Sequence, residues 1–366
     1  MKRRQNLTFA AIISTCLTLF GCKQESANST DSVAAAQPQT FNWKMVTAWP
    51  KNYPALGTSA ERVAERINSM SDGRLTIKVY AGGELVPALE VFDAVSRGTA
   101  QMGHGAAYYW KGKTDTAQFF TSVPFGLSAI EMNAWLHKGG GLQLWQEAYA
   151  PFGVKPFAIG NSGMQMGGWF NKEIQSLDDL KGLKIRMPGL GGEVLTRLGA
   201  TTVNLPGSEV FTALQTNAID ASDWVSPYND LAFGLHKAAK YYYYPGWQEP
   251  QAVLELIINQ EAWDSLPADL QAIVTEAIRA GNADMLDDFT WNNARALSEL
   301  KQADVQLRRF PDEVLQAMEK ESALVLSDLA SNSDLNQRIW DSMQAFQQQV
   351  TQMHKISEKE LYNWRD

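Results

Sequence analysis

Residues 154–170 read VKPFAIGNSGMQMGGWF, a run that is unusually long for a single strand and that carries several glycines. On either side of it, from Phe41 onward, strand-like and helix-like segments alternate, which predicts an α/β fold. The length of the run predicts that the chain crosses here from one lobe to another. A second stretch, YYYYPGWQEPQAVLELIINQEAW at residues 241–263, predicts the return crossing.

The chain length and the two crossings together predict two lobes. A chain of 366 residues usually exceeds one compact core. We expect lobe 1 to comprise residues 41–160 and about 250–300, and lobe 2 to comprise residues 161–249. The pattern becomes almost purely helical beyond Pro267, and residues 301–366 should form a C-terminal helical segment.

The N-terminus has the features of an export signal. A basic start precedes an apolar stretch that is too short to span a bilayer. It ends in LFGC at residues 19–22, which resembles a bacterial lipobox. We therefore expect a lipoprotein signal peptide at residues 1–21, a lipid on Cys22 and a flexible tether at residues 22–40. An ordinary signal peptide with a chance cysteine is the alternative.

Composition argues against several classes of function. Both cysteines, Cys16 and Cys22, fall in this N-terminal segment, so the mature fold should contain no disulfide, thiol nucleophile or cysteine metal site. The formal net charge is −8 and basic clusters are lacking, which argues against nucleic acid as a partner. The histidines lack metal-ligand spacing, and no nucleophile elbow, P-loop or complete dinucleotide fingerprint occurs. Binding is therefore favoured over catalysis.

One arginine ends a short apolar run in GLKIRMPGLGGEVLTRLGA, residues 182–200. Directly after Arg186 the chain breaks at Met-Pro-Gly and reopens as a helix. Ligands of open α/β sheets bind at the carboxyl ends of strands, and a guanidinium matches a carboxylate in geometry. We predict that Arg186 binds the carboxylate of a small organic acid. An interlobe salt bridge or a surface arginine is the alternative.

Two amides in the first crossing are further candidates. Gln165 lies between Met164 and Met166, and strand alternation turns it away from both. It should therefore face a polar site or be buried with a partner. Asn161 is a weaker candidate, because Gly-Asn-Ser-Gly is also an ordinary turn sequence.

Two acids stand near the same region of the predicted fold. Asp223 and Trp224 follow an apolar run, and Glu249 ends the WQE turn at residues 247–249. Two carboxylates beside an anionic ligand would repel it unless a cation lies between them, and oxygen ligands suit Na⁺ or Ca²⁺. The alternative is that Asp223 caps a helix opening at Val225 and that Glu249 pairs with the arginine.

Aromatic residues at segment ends could form the walls of a small pocket. Trp49, Tyr108 and Tyr109 are such residues, and a tyrosine hydroxyl can donate to a carboxylate. Packing is the likelier role of each aromatic taken alone.

Several motifs, in order, resemble the solute-binding proteins of tripartite ATP-independent periplasmic (TRAP) transporters, within the branch that binds 2-oxo monocarboxylates such as pyruvate. The resemblance runs from about Trp43 to the C-terminus. These motifs are VTAWPKN, GAAYYWKGK, GNSGMQMGGWF, GLKIRMPGLGGEVLTRLGA, AIDASDWVSPYND and YYYYPGWQEP. The resemblance implies a two-lobed periplasmic binding protein fold with crossing strands and long C-terminal helices.

The resemblance also implies roles for individual residues. Arg186 would bind the ligand carboxylate, Tyr108 and Tyr109 would face it from the first lobe, and Gln165 would lie near ligand and cation. Asp223, the backbone oxygen of Trp224 and either Gln248 or Glu249 would hold the cation. Gln248 and Glu249 should point to opposite sides of a strand, and charge favours Glu249.

A receptor of this kind is not an enzyme. It would deliver its anion to a membrane permease, with Na⁺ as the bound cation and Ca²⁺ as the alternative. The resemblance further implies a periplasmic location and a homodimer formed by exchange of C-terminal helices. Two competing functions remain: a lactate-binding receptor that uses calcium, and an exported enzyme in which Asp223 and Glu249 act as acid and base.

Overall fold

The computed structural model describes residues 39–365, in which two mixed β-sheets are surrounded by helices. The predicted signal peptide, Cys22 and nearly all of the predicted tether lie outside the described residues. The strands are β1 (Phe41–Thr47), β2 (Leu75–Tyr80), β3 (Met102–Gly105), β4 (Val154–Asn161), β5 (Gly168–Phe170), β6 (Lys184–Arg186), β7 (Thr201–Val203), β8 (Ala221–Ser222), β9 (Tyr241–Tyr244), β10 (Val253–Asn259) and β11 (Gln306–Arg309).

Twelve α-helices, with short 3₁₀ turns between some of them, complete the described residues. They are α1 (Leu56–Met70), α2 (Val91–Ser96), α3 (Ala129–Lys138), α4 (Gly141–Tyr149), α5 (Gly189–Arg197), α6 (Gly207–Gln215), α7 (Pro227–Phe233), α8 (Gln260–Ser265), α9 (Ala268–Gln302), α10 (Asp312–Ser331), α11 (Asp334–Ile356) and α12 (Glu358–Arg365). None of the helices in residues 39–365 is long and apolar enough to cross a membrane.

The first sheet has the strand order β2-β1-β3-β10-β4. Strand β1 runs parallel to β2 and β3, and the connecting helices α1 and α2 make right-handed crossovers possible. Strand β10 is antiparallel to both β3 and β4. Its sequence VLELIIN is buried in all but the last residue, as a central strand covered on both faces requires.

The second sheet has the order β11-β9-β5-β8-β6-β7. Strands β6, β7 and β8 are parallel, whereas β5 is antiparallel to β8 and β9. Both sheets are therefore mixed, and the α/β fold with two lobes is confirmed. The residue boundaries of the lobes stay a prediction.

The chain crosses between the sheets at both predicted places. Strand β4 lies in the first sheet and β5 in the second, so residues 162–167 make the first crossing. Residues 245–252 make the return crossing, from β9 to β10. The first run is thus two strands, separated by residues 162–167. At Gly168, where the second strand begins, φ is +107° and a Cβ would lie 2.8 Å from the backbone oxygen of Ser222.

Helix α9 runs through 35 residues and packs against β4, α1 and α7. Gly281 does not interrupt it, because the glycine faces α1, where a Cβ would lie 2.5 Å from Cγ2 of Val63. The remaining C-terminal residues contact elements around both sheets. Strand β11 pairs with β9 and helix α10 contacts α5, whereas helix α11 contacts α3 and α4.

Candidate functional site

The register of the second sheet brings an arginine and an aspartate together. Arg186 is the last residue of β6, and Asp223 directly follows β8, the parallel neighbour of β6. The backbone N–H of Asp223 donates to the backbone oxygen of Arg186 at 2.9 Å. Carboxyl ends of parallel strands meet at one edge of a sheet, so both side chains start from the same place.

Arg186 is almost fully buried, with 1% of its surface exposed, and several of its N–H groups have acceptors. Nη1 donates to the backbone oxygen of Asp223 at 3.0 Å, Nε to that of Leu205 at 3.3 Å, and Nη2 to the hydroxyl of Tyr109 at 3.4 Å. The guanidinium carbon lies 5.2 Å from the ring centroid of Trp224, a cation–π distance. The arginine is therefore held in a fixed orientation by neutral groups.

Two buried carboxyl groups lie beside this arginine. Burial raises the pKa of Asp223 to about 7, against the opposing effect of Arg186, whose Nη1 is 4.0 Å from Oδ2. Burial also raises the pKa of Glu249 well above its usual value, and the charge of Asp223 raises it further. Without a cation, these two carboxyl groups are costly to ionise together.

Four side-chain oxygens in this region are buried and accept no hydrogen bond from the residues the structure describes. They are Oε1 of Gln165, Oδ2 of Asp223, Oε1 of Gln248 and Oε2 of Glu249. Buried polar atoms without partners are rare and require an explanation. Carboxylate and amide oxygens are the ligands that hard cations prefer, so the chemistry of these residues fits Na⁺ or Ca²⁺.

The stretch after β9 corrects one prediction. Residues 245–250 form bends and not a strand, so Gln248 and Glu249 do not alternate between two faces. Nε2 of Gln248 donates to Oδ1 of Asp223 at 3.1 Å and to the backbone oxygen of Met166 at 2.8 Å. Glu249 interacts with Asp223 through charge. Both residues therefore belong to the same cluster.

A narrow cavity of about 20 Å³ adjoins this cluster. It is lined by five of the predicted residues, namely Trp49, Tyr108, Tyr109, Gln165 and Trp224. Five further residues of its lining were missed by sequence reasoning, namely Leu56, Ser162, Val225, Ala252 and Leu254. Four of these are apolar residues, which cannot be told from core residues by pattern. Arg186, Asp223 and Glu249 are not among the lining residues, but Arg186 contacts two of them, Tyr109 and Trp224.

Asn161 is not among the residues that line this cavity. Its Nδ2 donates to Oε1 of Gln251 at 2.7 Å, and its Oδ1 accepts from the backbone N–H of Gly163 at 2.9 Å. Because Gln251 lies in the return crossing, Asn161 joins the two crossings to each other. A direct contact of Asn161 with a ligand stays a prediction.

The structure removes both parts of the alternative explanation for the acids. Helix α7 begins at Pro227 with Ser226 as its N-cap, and Asp230 accepts from the backbone N–H of Val225, so Asp223 caps no helix there. The salt bridge of Arg186 is to Asp223 rather than to Glu249.

Comparison with known proteins identifies the family. Residues 45–333 match the model for bacterial extracellular solute-binding proteins of family 7 (DctP). The chain is 44% identical over 366 residues to a monocarboxylate 2-oxoacid-binding periplasmic protein of Nostoc sp., covering 100% of this chain and 99% of the relative.

Two solved structures share the fold at substantial identity. One is a TRAP periplasmic solute-binding protein from Pseudoalteromonas atlantica with bound sodium and pyruvate (43% identity, TM-score 0.87, covering 89% of this chain and 99% of that one). The other is a TRAP solute-binding protein from Bordetella bronchiseptica, described as a mixed-occupancy dimer with copurified calcium and picolinate (36% identity, TM-score 0.88, covering 89% and 97%). The resemblance found in the motifs is confirmed: the chain belongs to the DctP family of TRAP-transporter solute-binding proteins.

Proposed function

We propose that this receptor captures small 2-oxo monocarboxylates, such as pyruvate and longer or branched 2-oxo acids, and delivers them to the membrane subunits of a TRAP permease. One observation carries the proposal. A buried arginine with free donors lies next to four buried oxygens that lack donors, and its neighbours Tyr109 and Trp224 line a small cavity. The pyruvate and sodium of the Pseudoalteromonas protein and the name of the Nostoc relative support the same ligand class.

The site residues divide into three groups with separate tasks. Arg186 and Tyr109 donate to the ligand carboxylate, and Tyr108 faces it from the same side. Gln165, Asp223, the backbone oxygen of Trp224 and Glu249 hold the cation, with Gln248 orienting Asp223. The bound cation neutralises the two carboxylates and coordinates ligand oxygens. Closing the lobes excludes water, which strengthens each of these electrostatic contacts.

The apolar residues of the cavity lining receive the alkyl group of the acid. They are Leu56, Val225, Ala252 and Leu254, with Trp49 and Trp224 as aromatic walls. Asn161 supports the site indirectly, by joining the two crossings.

Sodium is the proposed cation, and calcium is the alternative that the Bordetella protein represents. The acid-rich set of Asp223 and Glu249 can neutralise either ion. Among residues 39–365 no group of three or more histidine, cysteine, aspartate or glutamate side chains forms a metal site, so amide and backbone oxygens must complete the coordination. That composition suits a weakly held hard cation.

The protein works by binding and release, as its family does, and not by chemical conversion of the acid. We propose a periplasmic receptor anchored by a lipid on Cys22 after removal of residues 1–21. We also propose a homodimer in which C-terminal helices are exchanged. Exposed apolar side chains at the end of α11 and on α12 support it, as does the dimer of the Bordetella protein.

A thermal-shift screen of the mature protein tests the ligand class. The probes are pyruvate, longer and branched 2-oxo acids, lactate and succinate, each with sodium, with calcium or with a chelator. A ligand that binds only the native state raises the melting midpoint with the logarithm of its saturation. We expect shifts for 2-oxo monocarboxylates with sodium. Shifts confined to lactate with calcium, or no shift for any acid, would contradict the proposal.

The cation site is tested in the same assay with Asp223→Asn. The substitution keeps the size of the side chain and removes the charge of the group that carries one of the four unpartnered oxygens. We therefore expect the factor by which sodium tightens pyruvate binding to fall by at least about tenfold. Wild-type titrations that are identical with and without a cation would refute the cation site.

A further inference from the structure

Tyr53 joins the part of the chain around the first sheet to the part around the second. It lies between β1 and α1, and its hydroxyl oxygen accepts from Nε1 of Trp224 at 2.8 Å. The same hydroxyl donates to the backbone oxygen of Asn229, on α7, at 2.7 Å. In return, Nδ2 of Asn229 donates to the backbone oxygen of Pro54 at 2.9 Å. Three hydrogen bonds thus connect two segments about 170 residues apart.

The backbone around Tyr53 is held in a defined shape. Its carbonyl oxygen accepts from the N–H groups of Gly57 and Thr58, at 2.9 and 3.0 Å. Asn52 and Ala55 on either side have φ values of 58° and 56°, a conformation that few side chains adopt. The first turn of α1 therefore fixes where the hydroxyl of Tyr53 points.

The bonded groups are buried from water. Tyr53 and Trp224 are 5% and 4% exposed, and both rings pack against Phe233, with centroid distances of 4.3 and 4.8 Å. Burial raises the pKa of Tyr53 well above 10, so its hydroxyl stays neutral and can donate and accept at the same time. Hydrogen bonds in such surroundings are costly to lose, because each leaves a buried polar group unpaired.

Trp224 connects Tyr53 to the ligand site. Its ring lines the cavity and lies 5.2 Å from the guanidinium carbon of Arg186, and its chain neighbour is Asp223. Tyr53 itself is not among the residues lining the cavity. A side chain of the first part of the chain therefore sets the orientation of an aromatic ring that supports the anion-binding arginine.

We propose that Tyr53 is a positioning residue that fastens the closed receptor: its bonds to Trp224 and Asn229 form when the lobes close over the ligand, and they slow ligand release. The inference rests on the proposed function. In the open receptor the same groups face water and are hydrated, so the bonds cost little when absent. They then act on the lifetime of the complex and not on the folding of the ligand-free chain.

The test compares Tyr53→Phe with the wild-type protein. The variant keeps the ring and removes the hydroxyl, hence two of the three bonds. We expect the dissociation constant for pyruvate with sodium, measured by calorimetry, to rise by tenfold or more. Stopped-flow tryptophan fluorescence should place most of this change in the dissociation rate. The melting midpoint of the ligand-free variant should stay within a few degrees of the wild-type value.

Tyr228→Phe is the matched control, because Tyr228 lies on the same helix as Asn229 and packs instead against Phe289, with ring centroids 6.2 Å apart. Tyr228→Phe should leave both the dissociation constant and the dissociation rate of pyruvate unchanged. Wild-type affinity and dissociation rate in Tyr53→Phe would overturn the inference. An equal loss of stability with and without ligand would also overturn it, since Tyr53 would then be a purely structural residue. Failure of the wild-type protein to bind any 2-oxo acid would instead overturn the proposed function, and the release role of Tyr53 with it.

Discussion

Arg186 has donors to spare for a ligand. A guanidinium carries five N–H groups, and three of them donate to protein oxygens of Leu205, Asp223 and Tyr109. These contacts fix the plane of the group, so the remaining donors are oriented before a ligand arrives. Such preorganisation reduces the entropy that binding must overcome.

Arg186→Ala should abolish detectable binding of 2-oxo acids, with at least a 100-fold rise in dissociation constant. The ligand carboxylate would be buried without a partner, and Asp223 would lose its neighbouring positive charge. Calorimetry measures the loss, and circular dichroism checks that the variant folds. Arg186→Lys keeps the positive charge but loses the paired N–H donors of the guanidinium. Its affinity should therefore fall between those of the wild-type protein and Arg186→Ala. Near-wild-type affinity in Arg186→Ala would refute the role.

Glu255 is a buried acid outside the ligand site, on β10. It accepts hydrogen bonds from Nε1 of Trp110 and, at 3.0 Å, from the hydroxyl of Tyr149. Burial raises its pKa from 4.5 to about 7, so the folded state holds this proton more tightly than the unfolded chain does. The wild-type protein should therefore lose stability as pH rises from about 4.5 to about 7.

Glu255→Gln removes that loss. A raised carboxyl pKa of this size lowers the free energy of unfolding by roughly 3 kcal/mol once the group is ionised. This loss of stability is absent at low pH and complete above about pH 7. Urea unfolding at several pH values should show that the stability of the variant, relative to the wild-type protein, increases as the pH rises from about 4.5 to about 7. An exposed control, Glu276→Gln on α9, should show no such gain. Parallel pH profiles for wild type and Glu255→Gln would contradict the assignment.

Sequence reasoning could find those site residues whose chemistry is unusual for their position. Arg186 and Asp223 were recognisable because charged residues at strand ends stand out. Leu254 and Ala252 were not, because an apolar residue in or next to an apolar strand looks the same whether it lines a cavity or fills a core. Tyr53 could not be found either, since its partner Trp224 is distant in sequence.

Among the elements, α9 is the longest helix of residues 39–365 and packs on β4, α1 and α7. Gly281 of α9 faces Val63 of α1. In an exposed helix, replacing glycine by alanine gains about 1 kcal/mol. At Gly281 a Cβ would lie 2.5 Å from Cγ2 of Val63. The resulting overpacking costs about 1–3 kcal/mol, which offsets or exceeds the gain in helix propensity.

Gly281→Ala should therefore destabilise the protein by up to about 2 kcal/mol, measured by urea unfolding. Combining it with Val63→Ala should recover much of this loss, because the second substitution removes the atom that clashes. Val63→Ala alone serves as the reference for the cost of its cavity. A Gly281→Ala variant that is more stable than the wild-type protein would show that α1 and α9 adjust to each other.

The crossings show what element patterns can and cannot predict. Both lie where the sequence predicted them, but the division of the first run into β4 and β5 was not predicted, because it depends on pairing with distant strands: β4 pairs with β10, and β5 with β8 and β9. The expectation that Gln248 and Glu249 lie in a strand failed for a similar reason. Residues 245–250 make bends whose backbone groups pair with distant segments, as Phe125 with Trp247 and Gln165 with Glu249. The local sequence pattern cannot predict hydrogen-bond partners that are distant in sequence.

At the scale of the whole molecule, the last two helices expose an apolar surface. Its residues are Met353, Ile356, Leu361, Tyr362 and Trp364, each more than half exposed. Exposed apolar residues grouped in this way mark interaction surfaces. We expect the mature protein to sediment as a dimer, with these side chains covered by the second copy.

A chain that ends at Ile356 should shift toward monomer in sedimentation velocity, because it lacks α12 and three of these apolar residues. Trp364→Glu in the full chain should act in the same direction without shortening it. Both variants should still bind pyruvate if the site of each copy is complete. A wild-type monomer, or an undiminished dimer in both variants, would contradict the proposed interface.

The two crossings also determine when the protein can fold during its own production. The first sheet places β10, residues 253–259, between β3 and β4, so it has a gap until that strand has emerged. The second sheet keeps β9 as an open edge until β11, residues 306–309, arrives. Neither lobe can therefore be completed from an N-terminal fragment, and such fragments would expose strand edges that invite aggregation. Folding must wait for most of the chain, which is compatible with a polypeptide that is threaded across a membrane before it acquires its structure.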